Sequence, residues 1–142
     1  MSVPRLKEST VITGEHRPGL TSDEARSGLA KLITKLFDLW QLSTSDRLEL
    51  LGQSPNSRAN LTKYRNGAPL PNLRDLLDRV GWLLSIHKSL RLLYPHNETL
   101  RYTWVNRRNK VFENLTPLQV MRDEGIIGIA KVSRYLDYQR GR

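Results

Sequence analysis

Between Leu73 and Leu93, apolar residues at Leu73, Leu76, Leu77, Val80, Leu83, Leu84, Leu90 and Leu93 continue one helical face. At 3.6 residues per turn that face runs for about six turns. Trp82, Ile86 and Leu92 make much of the opposite side apolar too. A helix apolar on two sides is stable only when neighbours pack on it all round, so the segment predicts a central helix and requires other helices to cover it. Tyr94-Pro95 ends it, since proline removes a backbone donor and disfavours the helical region for the residue before it.

The covering helices are legible on both sides. Thr21-Ser-Asp-Glu24 has the spacing of a capping box, with the Thr21 hydroxyl accepting from the Glu24 amide. Leu29, Leu32, Ile33, Leu36, Phe37, Leu39 and Trp40 then lay an apolar stripe on a helix ending near Leu42. Ser45 is placed to cap a short helix over 46–51, which Gly52 ends in the left-handed region. A turn at Ser54-Pro55-Asn56 leads to a third helix over 58–66, capped by Ser57 and stopped by Gly67 and Pro69-Leu-Pro71. Two short helices joined by a turn make a helix-turn-helix pattern. Leu70-Pro71-Asn72 reads as a linker. Beyond Pro95, Asn97 caps a short helix through Trp104, and Thr116-Pro117 starts another that Gly125 stops. A last helix over 126–138 carries Ile126, Ile129, Ala130, Val132 and Leu136. No long alternating run appears, so the expected class is all-α. Residues 1–20, rich in Ser, Thr, Gly, Pro and charge, predict a mobile tail.

Charge narrows the function classes. Twenty-three Lys and Arg against fourteen Asp and Glu give a formal net charge of +9, which favours acidic or polyanionic partners. Residues 1–28 are neutral, 29–71 hold six basic and three acidic groups, and 72–142 hold thirteen and seven. The absence of cysteine removes disulfides and thiolate zinc sites. The longest uncharged, largely apolar run, Trp82 to Ile86, is far short of the ~20 residues that span a bilayer. The N-terminus lacks the apolar stretch of a secretory signal, so the expected compartment is the cytoplasm. His16, His87 and His96 show no metal-binding spacing, and no phosphate loop, nucleophile elbow or carboxylate pair stands out. No enzyme activity, cofactor, metal site or membrane association is expected.

Several features in the second half agree in order: Leu84-Ser-Ile86-His-Lys-Ser-Leu90-Arg-Leu-Leu93-Tyr-Pro95, Trp104, Asn106-Arg-Arg-Asn109, Phe112, Thr116-Pro117-Leu118 and Val132-Ser-Arg134-Tyr-Leu136. This stretch resembles the toxin-binding domain of Xre/MbcA/ParS-type antitoxins. In front of it, Arg47-Leu-Glu-Leu-Leu51-Gly52 and Leu61-Thr-Lys-Tyr64-Arg65-Asn-Gly67 resemble the Xre-like helix-turn-helix region of the same family. Behind the 1–20 tail, the resemblance, which covers about residues 24–142, implies a helix-turn-helix unit over 21–71 and a toxin-binding domain packed against it over 72–142. It also implies a type II antitoxin that neutralises a RES-type, NAD-degrading toxin and represses its own operon. A stand-alone DNA-binding regulator is the alternative. Two departures stand out: Asn114-Leu115 replaces a pair that commonly ends in glycine, and the turn between Gly52 and Leu61 is about two residues longer than in the family. Asn is among the non-glycine residues most tolerant of positive φ.

Candidate contact residues follow from chemistry and resemblance together. If the 58–66 helix enters a major groove, Leu61 and Tyr64 face the core, leaving Arg58, Asn60, Lys63, Arg65 and Asn66 for DNA; arginine suits guanine, asparagine adenine and lysine phosphate. A solvent-facing helix carries the same residue types. For the toxin, Arg107, Arg108 and Asn109 follow Trp104, which is expected in the core. Arg134, Tyr135, Tyr138, Arg140 and Arg142 mark the last helix and tail, and residues 140–142 are expected to act as a competitive plug in the toxin's cleft. A homodimer is expected, since operator readers present two helices to two half-sites. Leu39 and Trp40, or Trp82 and Ile86, are candidates for its surface, although both pairs are also suited to burial within one chain.

Overall fold

The computed structural model describes residues 21–141, and the expectations for residues 1–20 and for Arg142 lie outside that range. The helices are α1 (Asp23–Leu39), α2 (Thr44–Leu51), α3 (Arg58–Arg65), α4 (Arg74–Leu93), α5 (Glu98–Thr103) and α6 (Pro117–Arg140). Short 3-10 turns lie at Pro55–Ser57, Trp104–Asn106 and Lys110–Phe112. Among the described residues there is no strand, only an isolated antiparallel bridge between Asn109 and Leu115. The fold is all-α.

α4 is the central helix. Its Leu76, Val80, Leu83, Ile86 and Leu90 are buried, and α6 lies along it as its most extensive neighbour, with α1, α2 and α5 covering the rest. Burying each such side chain contributes on the order of 2 kcal/mol. α1 adds Ile33, Leu36, Phe37 and Trp40, so buried residues from 21–71 and from 72–142 form one continuous core. Trp40 and Ile86 are almost fully enclosed within the chain, and Leu39 and Trp82 are half-buried. The second apolar face of α4 is therefore covered at Trp82 and Ile86, while Leu92 at the helix end stays 56% exposed.

Three helices end alike. The amides of Gln41 and Leu42 return to Asp38 and Phe37, those of Gly52 and Gln53 to Glu49 and Leu48, and those of Gly67 and Ala68 to Tyr64 and Lys63. This paired closure needs a left-handed residue, supplied by Gln41 (φ 56°), Gly52 (φ 71°) and Gly67 (φ 97°). The Gln41 closure stops α1 at Leu39 rather than Leu42. It leaves Ser43 extended, so Ser43 rather than Ser45 caps α2 by accepting from the Asp46 amide at 3.0 Å. At the start of α1 the cap is Ser22, which accepts from the Ala25 amide at 3.0 Å; the Thr21 carbonyl accepts instead from Arg26 Nε at 3.0 Å. Asn97 and Thr116 cap α5 and α6 as their sequence positions predict.

Gly125, with φ 64° and ψ −142°, a region close to glycine-only, ends the helical run that Pro117 starts, so α6 is two helical segments meeting at a kink, as the sequence places them. The kink folds the second segment against the first. A Cβ at Gly128 would lie 2.4 Å from the Val120 carbonyl oxygen and 2.8 Å from Glu124 Cβ.

Arginines tie the helices together. Arg26 Nη1 donates to the Leu70 carbonyl at 2.6 Å, holding the linker to α1. Arg79 bonds Asp75 at 2.8 Å and reaches the Glu49 and Leu50 carbonyls at the end of α2 at 3.4 and 3.3 Å. Arg122 on α6 pairs with Asp46 and Glu49 on α2 at 3.2 and 3.1 Å. On α1, Asp38 accepts from Arg65 at 2.6 and 3.0 Å and from Arg47 at 2.8 Å. The Arg65 bonds, then those of Arg47, outweigh desolvation and hold the Asp38 carboxyl down at about 2.

Two outcomes follow from this architecture. Gly128→Ala should lower stability by ~1–3 kcal/mol through overpacking, read as a fall in the thermal midpoint; an unchanged midpoint would show that the kink relaxes freely. The Asp38 pKa is depressed from 3.8, so its pairing stabilises the fold above about pH 4 and that contribution is lost as pH falls toward about 2. Asp38 is 42% exposed, so solvent screening limits the effect to about 1 kcal/mol or less. Wild type should thus exceed Asp38→Asn in urea unfolding at pH 7 and converge with it near pH 2. A gap persisting at pH 2 would assign the effect to packing.

Candidate functional site

α2 and α3 are joined by a turn whose extra residues fold into the Pro55–Ser57 3-10 turn, with Ser54 Oγ accepting from the Asn56 amide at 3.1 Å. Ser57 stands at the start of α3 but makes no side-chain cap there. Gln53 Nε2 donates to the Tyr64 hydroxyl at 2.9 Å, which fixes the turn to α3. Tyr64 is buried and Leu61 half-buried, so these two set the inner face. Arg58, Lys63, Arg65 and Asn66 are exposed and Asn60 is half-buried. Among the described residues Arg58 and Lys63 have no carboxylate partner, whereas Arg65 is bonded to Asp38. An open cleft of about 470 Å³ separates α2 from α3, with Arg47, Arg58, Arg65, Thr44 and Thr62 on its walls.

The second group of residues lies on the 104–115 loop and α6. Trp104 is buried and stacks on Tyr135 at 6.4 Å between ring centroids, while Phe112 meets the same ring edge-on at 5.4 Å. Tyr135 is thus half-buried between two aromatic rings. The Asn109 side chain accepts from the Val111 amide at 3.0 Å, and its backbone takes two bonds across the loop to Leu115 and Asn114. Glu113 and Asn114 both adopt positive φ, 58° and 67°, so Asn114 takes the conformation that its position requires. Arg107 and Arg108 are exposed, each oriented by one hydrogen bond, to Thr103 Oγ1 at 2.9 Å and to the Asn114 carbonyl at 3.1 Å.

Along α6, Ile127, Lys131, Arg134 and Tyr138 are all exposed and share one face at i, i+4, i+7 and i+11. Ile127 and Tyr138 are 71% and 67% exposed, so a cationic middle is flanked by apolar surface at both ends. Lys131 lies 3.4 Å from Glu124, and Val111, 53% exposed, lines a shallow hollow with both. Arg140 is exposed but tethered, donating to Ser89 Oγ at 3.1 Å and to Asp137 at 3.3 Å. Arg142 lies outside the described residues. Ile127 and Val111 escape sequence reading as surface residues, although Ile127 does fall off the period that Ile126, Ile129 and Val132 define.

Among the described residues no group of His, Asp and Glu is arranged to hold a metal ion, and no helix is long and apolar enough to cross a membrane. His87 is half-buried against Tyr102, ring centroids 6.0 Å apart, and its pKa is lowered by desolvation and then by Arg91 and Arg101.

With this geometry in view, residues 89–142 match the antitoxin Xre/MbcA/ParS C-terminal toxin-binding domain. That match takes in the end of α4, the aromatic loop and all of α6. Over 123 residues the chain is also 35% identical to the uncharacterized protein y4oB of Sinorhizobium fredii (strain NBRC 101917 / NGR234), covering 85% of this chain and 92% of that protein. The chain belongs to one family with y4oB, and its residues 89–142 carry a C-terminal toxin-binding domain of the antitoxin Xre/MbcA/ParS type.

Proposed function

We propose that the protein is the antitoxin of a type II module, that it occludes a RES-type NAD-degrading toxin, and that it represses its own operon by binding DNA. The observation that carries the toxin arm is the exposed face of α6 within the matched domain, where Lys131 and Arg134 lie between Ile127 and Tyr138. Large contact area beside directional cations is the chemistry of interface anchors. Arg107 and Arg108 extend the cationic surface, while Tyr135 and Asn109 act by shaping the loop and helix that present it. A cleft that accepts a dinucleotide handles pyrophosphate and holds polar catalytic groups, so guanidinium groups from this face and from Arg142 are suited to enter it. Arg140, bonded to Ser89, directs the chain end rather than entering the cleft itself.

The DNA arm rests on α3, whose Arg58 and Lys63 are exposed and without carboxylate partners among the described residues. Helix-turn-helix proteins read bases with the N-terminal residues of the second helix, which puts Arg58 and Asn60 nearest the bases and Lys63 nearest a phosphate. Asn66, at the far end, is left for the backbone. A homodimer presenting two copies of α3 fits this reading.

Two measurements test these arms separately. Co-expressed with a RES-type enzyme, the partner this reading expects from an adjoining reading frame, the wild-type chain should co-purify with it and preserve cellular NAD. Arg134→Ala with Tyr138→Ala should weaken the complex by about tenfold or more, and removing residues 139–142 should abolish protection. Undiminished protection by both variants would place the contact elsewhere. In gel shifts with DNA from upstream of the reading frame, Arg58→Ala with Lys63→Ala should weaken binding and reduce the salt slope by about one to two, leaving toxin inhibition intact. An unmoved slope would remove α3 from the DNA contact.

A further inference from the structure

We propose that the cleft between α2 and α3 seats a backbone phosphate of duplex DNA, and that Asp38 occupies Arg65 until that phosphate replaces it. The inference rests on the DNA-binding reading and adds to it a phosphate site with a built-in competitor. Three guanidinium groups border the cleft, and they differ in how they are held. Arg47 is fixed: its side chain is 15% exposed, and it donates to the Leu42 and Phe37 carbonyls at 3.0 and 3.4 Å as well as to Asp38. Arg58 is exposed and has no carboxylate partner among the described residues. Arg65 is 49% exposed, and among the described residues its guanidinium bonds only to Asp38, through two parallel bonds of 2.6 and 3.0 Å. A carboxylate and a phosphate offer a guanidinium the same paired-oxygen geometry, so one can replace the other without rebuilding the site. The Thr44 and Thr62 side chains on the same walls add hydroxyl groups suited to phosphate oxygens.

The Asp38 carboxyl stays ionised at neutral pH, so Arg65 is released by exchange rather than by protonation. Exchange has a thermodynamic signature. Each phosphate neutralised by a protein cation releases counterions and steepens the dependence of log K on log salt by about 0.9. When Arg65 leaves Asp38 for a phosphate, the carboxylate keeps its Arg47 bond but loses the other guanidinium, and the cation density it regains offsets part of that release. Removing the carboxylate removes the offset.

The test uses the full chain and fluorescence anisotropy at 50 to 200 mM KCl, with a labelled duplex from directly upstream of the reading frame. Asp38→Asn should bind about three- to tenfold more tightly at the low-salt end, with a slope steeper by up to about one. In an Arg65→Ala background, Asp38→Asn should leave the slope unchanged. Arg65→Ala alone, a change at a half-exposed side chain, should weaken binding and serves as the measure if Asp38→Asn does not fold. An Asp38→Asn slope equal to wild type, a steepening that survives Arg65→Ala, or wild-type affinity in Arg65→Ala overturns the exchange. If wild type binds and Arg58→Ala with Lys63→Ala weakens it while Asp38→Asn changes nothing, the exchange alone fails. If neither wild type nor Asp38→Asn binds the duplex, the DNA-binding reading fails and the exchange with it.

Discussion

Burial of Leu76, Val80, Leu83, Ile86 and Leu90 along α4 is the constraint from which the other helices take their places. A helix of twenty residues with apolar groups on both sides has no stable arrangement in water unless it is surrounded. α1 and α2 cover one part, α6 lies along another, and α5 closes the end. The core consequently runs without a break from Ala30 on α1 to Leu136 on α6. Residues suited to DNA and residues suited to a toxin therefore stand on one packed scaffold. Close approach between α4 and α6 is made possible by small side chains: Ser89 and Ser133 are fully buried, and Ser133 Oγ donates to Ser85 Oγ at 3.4 Å.

The high positive charge divides into two populations. Arg26, Arg47, Arg79, Arg122 and Arg140 are occupied with carbonyls, carboxylates or a hydroxyl, and they join one helix to another. Paired in this way, their charge is locally compensated and contributes little to a partner at a distance. Arg58, Lys63, Arg107, Arg108, Lys110 and Arg134 are exposed and lack a carboxylate partner among the described residues. They fall on α3, on the aromatic loop and on α6, while Lys31 and Lys35 on α1 and Lys88 and Arg91 on α4 are exposed in the same way, so the charge left for partners is spread over several faces. The +9 total thus overstates the charge available for polyanion binding and conceals where it lies.

Much of the fold is legible because its signals are local. Asn97, Thr116-Pro117, Gly52 and Gly67 each act through hydrogen bonds or backbone angles within a few residues, and each stands where the sequence places it. The misplaced caps, Thr21 and Ser45, fail for equally physical reasons. Ser22, one residue later, takes the cap of α1 by accepting from the Ala25 amide, and the Gln41 closure brings Ser43 rather than Ser45 to the start of α2. Gln41 gives no warning in sequence, since a non-glycine residue in the left-handed region is uncommon.

The candidate site is less legible, because residue type states what a side chain is able to bind and not what it already binds. Arg65 and Arg58 look alike in a list of cations, yet Arg65 is paired with a carboxylate 27 residues away and Arg58 is not. Tyr135 and Tyr138 look alike on one helix, yet one is clasped by Trp104 and Phe112 and the other is 67% exposed. The sequence by itself determined the helical class, most helix ends and the kinds of chemistry available, since periodicity, capping and composition are properties of neighbouring residues. Only the tertiary structure decided which cations are spent on the fold and which face outward, because that depends on contacts between residues the chain brings together from far apart.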